Sequence, residues 1–459
     1  MRLLVITTTG LIPRPQNPTA GIFFANFVRQ LRGLTERIVL VTPQPFVPWP
    51  LTHFNAFTYH RLPFRGKWAD IEVHRPAYFS TRMVRHLWLQ SRNFCAAAMP
   101  VCRALHRRHH FDVVIGYSFG PPAHTAQCVA HALGLRSVSW GIGSDVHTHP
   151  QLSEENMRLL RHTVRHADLV LTESDALRRV ILDFCPAAGN VHAFYKGIDL
   201  DDFRTLGNAA ADRSQLCLAP DRTYMASIGR ALKTKGAYEF YEAFRNLAGT
   251  WPRLAALWIG GGPEEAALQA LARRDGLADR LTFTGTLPRS RAVAYLRAAD
   301  LMAFPSYAEG LANAVMEGLA AGLPVVTTDV GGDAEVIAHE RTGLLIPPRD
   351  VPALTRAIER VLRNPDWARQ LGQRGRRFIL DYFDVQKNAA VALDIFRHVA
   401  SGGNADNPIP SCAGMKAGEL PVQSLGREAP QQGQPYPFRG EGFPQPGPAL
   451  DAPPGGAWR

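Results

Sequence analysis

The sequence predicts an α/β fold made of two doubly wound domains, and three observations carry that prediction. Short β-branched runs alternate with helical stretches along most of the chain, the mark of a parallel sheet covered on both faces. The alternation comes as two series, separated by a polar seam at 196–214, "KGIDLDDFRTLGNAAADRS". The chain has 459 residues, 46% hydrophobic and 20% charged, which exceeds one ordinary domain and supplies a large core.

In chain order, the first series reads as strands at "RLLVITT", "RIVLVTP", "IEVHRP", "DVVIGYS", "SVSWGI", "LVLTES" and "VHAFYKG". Helical stretches intervene, such as 21–33, where Phe23, Phe27 and Leu31 fall on one face by i+4 spacing. The second series is "YMASIGR", "AALWIGGG", "LTFTGT", "LMAFPS", "PVVTTD" and "GLLIPP", followed by helical signals at 350–363, 366–379 and 384–400. The expected organisation is a first domain over 1–198, a linker over 199–222, a second domain over 223–382 and a long amphipathic helix over 383–400. Residues 401–459 hold eleven Pro and eleven Gly. Such a tail buries too little apolar surface to offset its ordering entropy, so disorder is expected there.

Composition narrows the function classes. The six cysteines show no CxxC pair and no Cys/His cluster, which argues against a zinc site or a disulfide framework and fits a reducing compartment. "MRLLVITTTG" reads as a first buried strand rather than a secretory segment, and no apolar run is long enough for a transmembrane helix. The net charge of +11 points to an anionic partner. No nucleic-acid-binding motif accompanies it, and none is expected as a partner.

The most informative segment is "YAEGLANAVMEGLAAG", which follows the strand "LMAFPS". A helix is expected from about Gly310 to Ala321, stopped by Gly322 ahead of Pro324. Glu309 then lies at the helix mouth and Glu317 two turns inside. Eight residues of helical rise is about 12 Å. A retaining glycosidase pair needs about 5 Å, and the inverting spacing is also shorter, so the two are no acid/base couple. They instead suit hydrogen bonds to two separate diols of an elongated ligand. The free N–H groups and positive dipole end between them suit a phosphate. Diol, phosphate and diol in a line describe a nucleoside-diphosphate sugar.

Other motifs fall around this one. "SIGRALKTKG" places Arg230, Lys233 and Lys235 after a strand, where open α/β sheets bind ligands and where cations could neutralise a diphosphate. "LWIGGGPEE" lacks the third glycine of a dinucleotide fingerprint, Glu265 standing in its place, and reads as a tight turn. The Asp-x-Asp match in "DLDD" at 199–202 lies in the seam rather than after a strand, so no metal is expected. Gly21 opens the first helix, where backbone can approach a ligand closely. Asp145, in "WGIGSDVHTHP", ends a strand and is a candidate to line a cleft, whereas His147 and His149 lack a third partner for zinc. The stretch 81–110 carries Arg82, Arg85, Arg92, Arg103, Arg107 and Arg108 with no acidic residue. It reads either as a helix with a solvated basic face or as a contact for an acceptor or an anionic membrane.

"GR…KxKG", followed about eighty residues later by "FPSYAEGLANAVMEGLAAGLPVVTTDVGGDAEVI", resembles the retaining, GT-B-fold glycosyltransferases of family 4. The second half is similar to the glycosyl transferases group 1 domain, and "GIFFANFVRQL" is similar to the first loop of teichuronic-acid-type transferases. The resemblance spans about 1–400 and implies two Rossmann-like domains facing across a cleft. By matching position it implies that Glu309 contacts sugar hydroxyls, Glu317 the ribose, and Arg230 and Lys235 the diphosphate. It also implies help from the amides between Gly310 and Asn313, including Leu311, and a final helix that crosses back to the first domain. Many members place a histidine just before the G-[ST]-D turn, where this chain has Ile142.

The expected function is retaining hexosyl transfer from a nucleotide sugar to an acceptor hydroxyl in cell-surface polysaccharide or glycolipid synthesis. Neither cofactor nor metal is expected. The expected partners are the nucleotide sugar, a lipid-linked or glycan acceptor, and an anionic membrane surface, with a cytoplasmic or inner-face peripheral location. The rival readings are an epimerase or phosphorylase on the same architecture, and a non-catalytic sugar-nucleotide-binding subunit.

Overall fold

A computed structural model describes residues 1–13, 21–46, 62–80, 87–205 and 209–402. Arg82, Arg85 and the Pro/Gly-rich tail beyond 402 lie outside the described residues. The first half folds as β1 (Arg2–Ile6), β2 (Arg37–Val41), β3 (Gln44–Phe46), β4 (Arg65–Trp68), β5 (Ile71–His74), β6 (Ala77–Phe79), β7 (Val113–Tyr117), β8 (Arg136–Gly141), β9 (Leu169–Thr172) and β10 (Val191–Ala193). Eight of these form one sheet in the order β10-β9-β8-β7-β1-β2-β5-β4, while β3 pairs with β6. Every pairing in the large sheet is parallel except β4 with β5. Strands covered on both faces must be apolar throughout, and β7 and β9 are buried along their whole length.

The second half supplies β11 (Thr223–Ile228), β12 (Leu254–Ile259), β13 (Leu281–Phe283), β14 (Leu301–Phe304), β15 (Val325–Thr328) and β16 (Leu344–Ile346). They form a fully parallel sheet in the order β13-β12-β11-β14-β15-β16. The strand order reverses between β11 and β14, so the chain leaves these neighbours in opposite directions and opens a crevice at their carboxyl ends.

The last helix, Val385–Ala400, returns to the first sheet. Its Ala389, Leu393 and Phe396 share a core with Leu3, Val5, Phe27 and Trp140. Two strands of chain cross on the way: Ile198 N–H donates to Phe383 O at 2.9 Å and Val385 N–H to Ile198 O at 3.0 Å. Gly197, at φ +75°, sits so close to the Phe383 carbonyl that a side chain would collide with it. The helix Leu87–His109 buries Phe94, Ala98, Cys102 and Leu105, leaving Arg92, Arg103, Arg107 and Arg108 exposed. Among the described residues no helix is long and apolar enough to cross a membrane.

One buried carboxylate makes several of the contacts between the two halves. Glu335, in the short helix Asp333–Val336, accepts hydrogen bonds from Asp175 N at 2.9 Å, Ala176 N at 2.7 Å and the Tyr195 hydroxyl at 2.5 Å. Asp175 opens the helix Asp175–Phe184 of the first half, whose cap Ser174 satisfies Leu177 N. Glu335 therefore fills two amide donors that the helix itself cannot satisfy. Burial pushes its carboxyl up from 4.5 to about 7, against the pull of those three donors.

Glu335→Ala, which strands Tyr195 and the two amides, is expected to destabilise the fold in denaturant unfolding, each stranded donor contributing about 1–3 kcal/mol. A second expectation concerns pH. A carboxyl raised in the folded state contributes stability that is complete below about 4.5 and lost as pH rises towards about 7. Glu335→Gln cannot titrate, so the wild-type stability minus that of the variant should fall across this window in thermal scans.

Candidate functional site

The loops after β11 and β14 line the crevice, and each is shaped by close backbone contacts. After β11 the chain turns at Gly229 (φ +128°), and Gly260 packs on it so tightly that a side chain on Gly260 would strike the Gly229 carbonyl. A side chain on Gly262 would likewise strike Ala231. The glycines of "LWIGGGPEE" thus serve to seat the Arg230 loop, in agreement with the tight-turn reading. Arg230 itself is exposed and makes no ion pair among the described residues.

Lys233–Lys235 form a single 3₁₀ turn ended by Gly236 at φ +70°, which lies against the Pro305 carbonyl of the neighbouring loop. Tyr307 N–H also donates to Thr234 O at 2.9 Å, so the two loops are stitched together. Across this seam Lys235 Nζ donates to Glu309 Oε1 at 2.5 Å, and the Ser306 hydroxyl donates to the same oxygen at 2.6 Å. The pair stays accessible, Lys235 being 32% exposed.

The helix after Glu309 begins later than the sequence predicts. It runs Asn313–Ala320, three residues short of the expected start at Gly310. The reason is tertiary: Gly332 N–H donates to Gly310 O, and Ala312 N–H donates to Asp333 Oδ1, both at 2.9 Å. Residues 310–312 are held out of the helix by the 330–333 turn, Ala312 being extended, and a side chain on Gly331 (φ +53°) would strike the Glu309 carbonyl. Burial, with Glu309 nearby, holds the Asp333 carboxyl well above its usual range. Leu311 points into the core, so it offers a ligand only backbone. The cap residue Ala312 makes no side-chain hydrogen bond, which leaves the first amides of the helix, at half-buried Asn313 and Ala314, without a side-chain cap.

Glu317 is the fifth residue of this helix and only 6% exposed. Arg289 Nη1 donates to its Oε1 at 2.7 Å. Burial raises the Glu317 carboxyl, and the Arg289 charge opposes the rise. The acids of "DLDD" are also in use: Asp202 faces Arg289 at 3.3 Å and Asp201 faces Arg204 at 3.1 Å. Among the described residues no group of three His, Cys, Asp or Glu side chains is arranged to hold a metal ion.

From the first half, the turn that includes Ile142 reaches this loop. A Cβ on Gly310 would lie 2.9 Å from Ile142 O and 3.3 Å from Gly143 Cα. The structure corrects the expectation for Asp145. Its carboxylate is 7% exposed and accepts from Phe119 N at 2.7 Å, Gly143 N at 2.7 Å and Ile142 N at 3.1 Å. It shapes the turn from inside and does not line the cleft as a free side chain. Gly21, the cap of Ile22–Leu34 at φ +58°, lies so close to Leu11 O that a side chain would collide. Four contributors escaped the sequence reading: Ser306, Arg289, Asp333 and Glu335. "GGDAEVI" did carry a signal, since acids beside a Gly-Gly turn have amides within reach, but Arg289 left none.

Comparison with known proteins bears on the family and the fold. Residues 209–378 match the family model described as glycosyl transferases group 1. Over 392 residues the chain is 28% identical to a Bacillus subtilis protein assigned as a teichuronic acid biosynthesis glycosyltransferase, covering 84% of this chain and 96% of that protein. It is 34% identical over 224 residues to the D-inositol 3-phosphate glycosyltransferase of Mycobacteroides abscessus, 49% of this chain and 45% of that one. Among solved structures, sucrose-phosphate synthase from Thermosynechococcus elongatus superposes with a TM-score of 0.70 at 21% identity, covering 88% of this chain and 100% of that chain. Anabaena HepE, solved in complex with UDP-glucose, gives 0.64 at 18% identity, covering 86% and 99%. These likenesses show the GT-B fold.

Asp145→Ala should unfold at lower temperature than wild type, because it strands three amides, each worth about 1–3 kcal/mol when buried unpaired. Asp145→Asn keeps acceptor capacity at one oxygen and should lose less. Equal melting temperatures for wild type and Asp145→Ala would contradict the assignment.

Proposed function

We propose, on the premise that this chain carries a group 1 glycosyltransferase domain within a GT-B fold, that it transfers a hexosyl group from a nucleotide-diphosphate sugar to an acceptor hydroxyl with retention at the anomeric carbon. The observation that carries the reading is the meeting of Arg230, the Lys235–Glu309 pair and an uncapped helix N-terminus at the β11/β14 switch point. Open α/β sheets bind ligands at that place, and every one of these groups suits one part of such a donor.

In this mechanism the diphosphate lies between Arg230, Lys235 and the amides from Asn313 onward. Lys235 spends one of its three N–H donors on Glu309 and keeps two for phosphate oxygens. Glu309, fixed by Lys235 and Ser306, accepts from sugar hydroxyls, and Glu317 accepts from the ribose. As the bond from C1 to the phosphate oxygen breaks, negative charge grows on the diphosphate, and the two cations stabilise it more than they stabilise the bound substrate. The acceptor oxygen bonds to C1 on the same face, and its proton passes to the departing diphosphate. Charge neutralisation by side chains is the reason we propose a metal-independent reaction. Asp145 serves by shaping the turn that meets Gly310, and Gly21, lacking a side chain, by letting backbone approach the ligand closely.

The assignment to cell-surface polysaccharide or glycolipid synthesis draws on the relatives named above, and a lipid-linked or glycan acceptor follows from it. The exposed arginines of Leu87–His109, with Phe46 and Phe79 exposed beside one another on paired strands, support contact with an anionic membrane surface at its cytoplasmic face.

With a panel of nucleotide sugars, Lys235→Ala and Glu309→Ala are each expected to lower turnover about 10²-fold or more while shifting the melting temperature little. Turnover should survive a chelator, and proton NMR of the product should show the donor's anomeric configuration. Near-wild-type activity in both variants, or an inverted product, would refute the site or the stereochemistry respectively. Binding to anionic vesicles should weaken with salt and on changing Arg92, Arg103 and Arg107 to Glu; binding indifferent to both would remove the membrane contact.

A further inference from the structure

Glu317 is a buried carboxylate with one oxygen engaged, and the group that engages it is anchored from outside the donor helix. Arg289, the first residue of the helix Arg289–Ala298, reaches Glu317 Oε1 at 2.7 Å through Nη1. Its Nη2 donates to Asp199 O at 2.7 Å, its Nε lies 3.3 Å from Asp202 Oδ2, and its guanidinium stands 5.8 Å over the Phe203 ring. Three residues of the segment joining the two halves thus fix the arginine that fixes Glu317. A second arginine repeats the connection. Arg376 donates to Ala320 O at the end of the same helix and, at 2.5 Å, to Phe203 O.

We infer that Arg289 is a positioning residue for nucleotide recognition, holding the Glu317 carboxylate so that its second oxygen receives a ribose hydroxyl of the donor. The inference rests on the functional reading above and extends it to a residue outside the signature run. Oε2 of Glu317 has no hydrogen bond among the described residues, and it is absent from their buried unpartnered atoms, so it is open to an incoming donor. A carboxyl this buried loses its charge unless a cation compensates it, and the neutral acid would carry a proton on one of its two acceptor oxygens. The guanidinium supplies that compensation, and its planar fork fixes direction as well as charge. Because the fork is shared with Asp199 and Asp202, ribose recognition and the linker are parts of one network.

The experiment uses the full chain and calorimetric binding of UDP, GDP, their 2′- and 3′-deoxy analogues, and inorganic pyrophosphate. For whichever nucleotide the wild type binds, Arg289→Ala should weaken affinity about tenfold or more. It should leave pyrophosphate affinity unchanged, and the deoxy penalty seen in the wild type should vanish. In turnover assays the loss should fall on KM for the donor more than on kcat. Arg289→Lys, which keeps the charge without the fork, should retain part of the ribose discrimination, and it serves if the alanine variant does not fold. Equal weakening of nucleotide and pyrophosphate, or a deoxy penalty that survives in Arg289→Ala, would overturn the inference while leaving the donor site intact. Failure of the wild type to bind either nucleotide would overturn the donor reading and this inference together.

Discussion

One buried carboxylate ties together two helices from opposite halves of the molecule, beside the loop that carries Glu309. Glu335 takes the first two amides of Asp175–Phe184 and the Tyr195 hydroxyl, and it stands two residues beyond Asp333. Asp333 in turn fixes the backbone of Ala312, and the glycines just before it cradle Glu309 and Gly310. The turn that meets the first half is therefore also the turn that shapes the loop ahead of Asn313–Ala320.

The polar residues around the crevice divide into two kinds by their surroundings. Asp145, Asp333 and Glu335 are buried, face backbone amides, and build loops. Arg230 and Lys235 are on accessible turns, and their charges are available to a ligand. Glu309 and Glu317 stand between, each held at one oxygen by a cation. In the proposed reaction this arrangement would present acceptors to hydroxyls and donors to phosphate already in place, which lowers the ordering cost of binding.

Much of this was legible in the sequence, for physical reasons. Buried parallel strands must be continuous apolar runs, so "LWI" before "GGG" and "LMAF" before "PS" announce themselves, and each proved to be a strand. The carboxylates at 309 and 317 stood out because their neighbours are apolar. What sequence could not show depends on partners far along the chain. The helix after Glu309 starts at Asn313 rather than Gly310 because Gly332 and Asp333, some twenty residues on, claim its preceding backbone. Asp145 turned inward because three amides lay within its reach, one of them at Phe119. Arg289 sits in an ordinary helix start, and only folding brings it to Glu317.

In the proposed reaction a nucleoside diphosphate lies across the β11/β14 switch point. A crystal structure of the full chain with bound UDP or GDP tests it most directly. Phosphate oxygens are expected within hydrogen-bonding distance of Arg230, Lys235 and the amides at the start of Asn313–Ala320, with a ribose hydroxyl on Glu317. A nucleotide bound elsewhere, with Lys235 still paired only to Glu309 and Arg230 facing solvent, would contradict it.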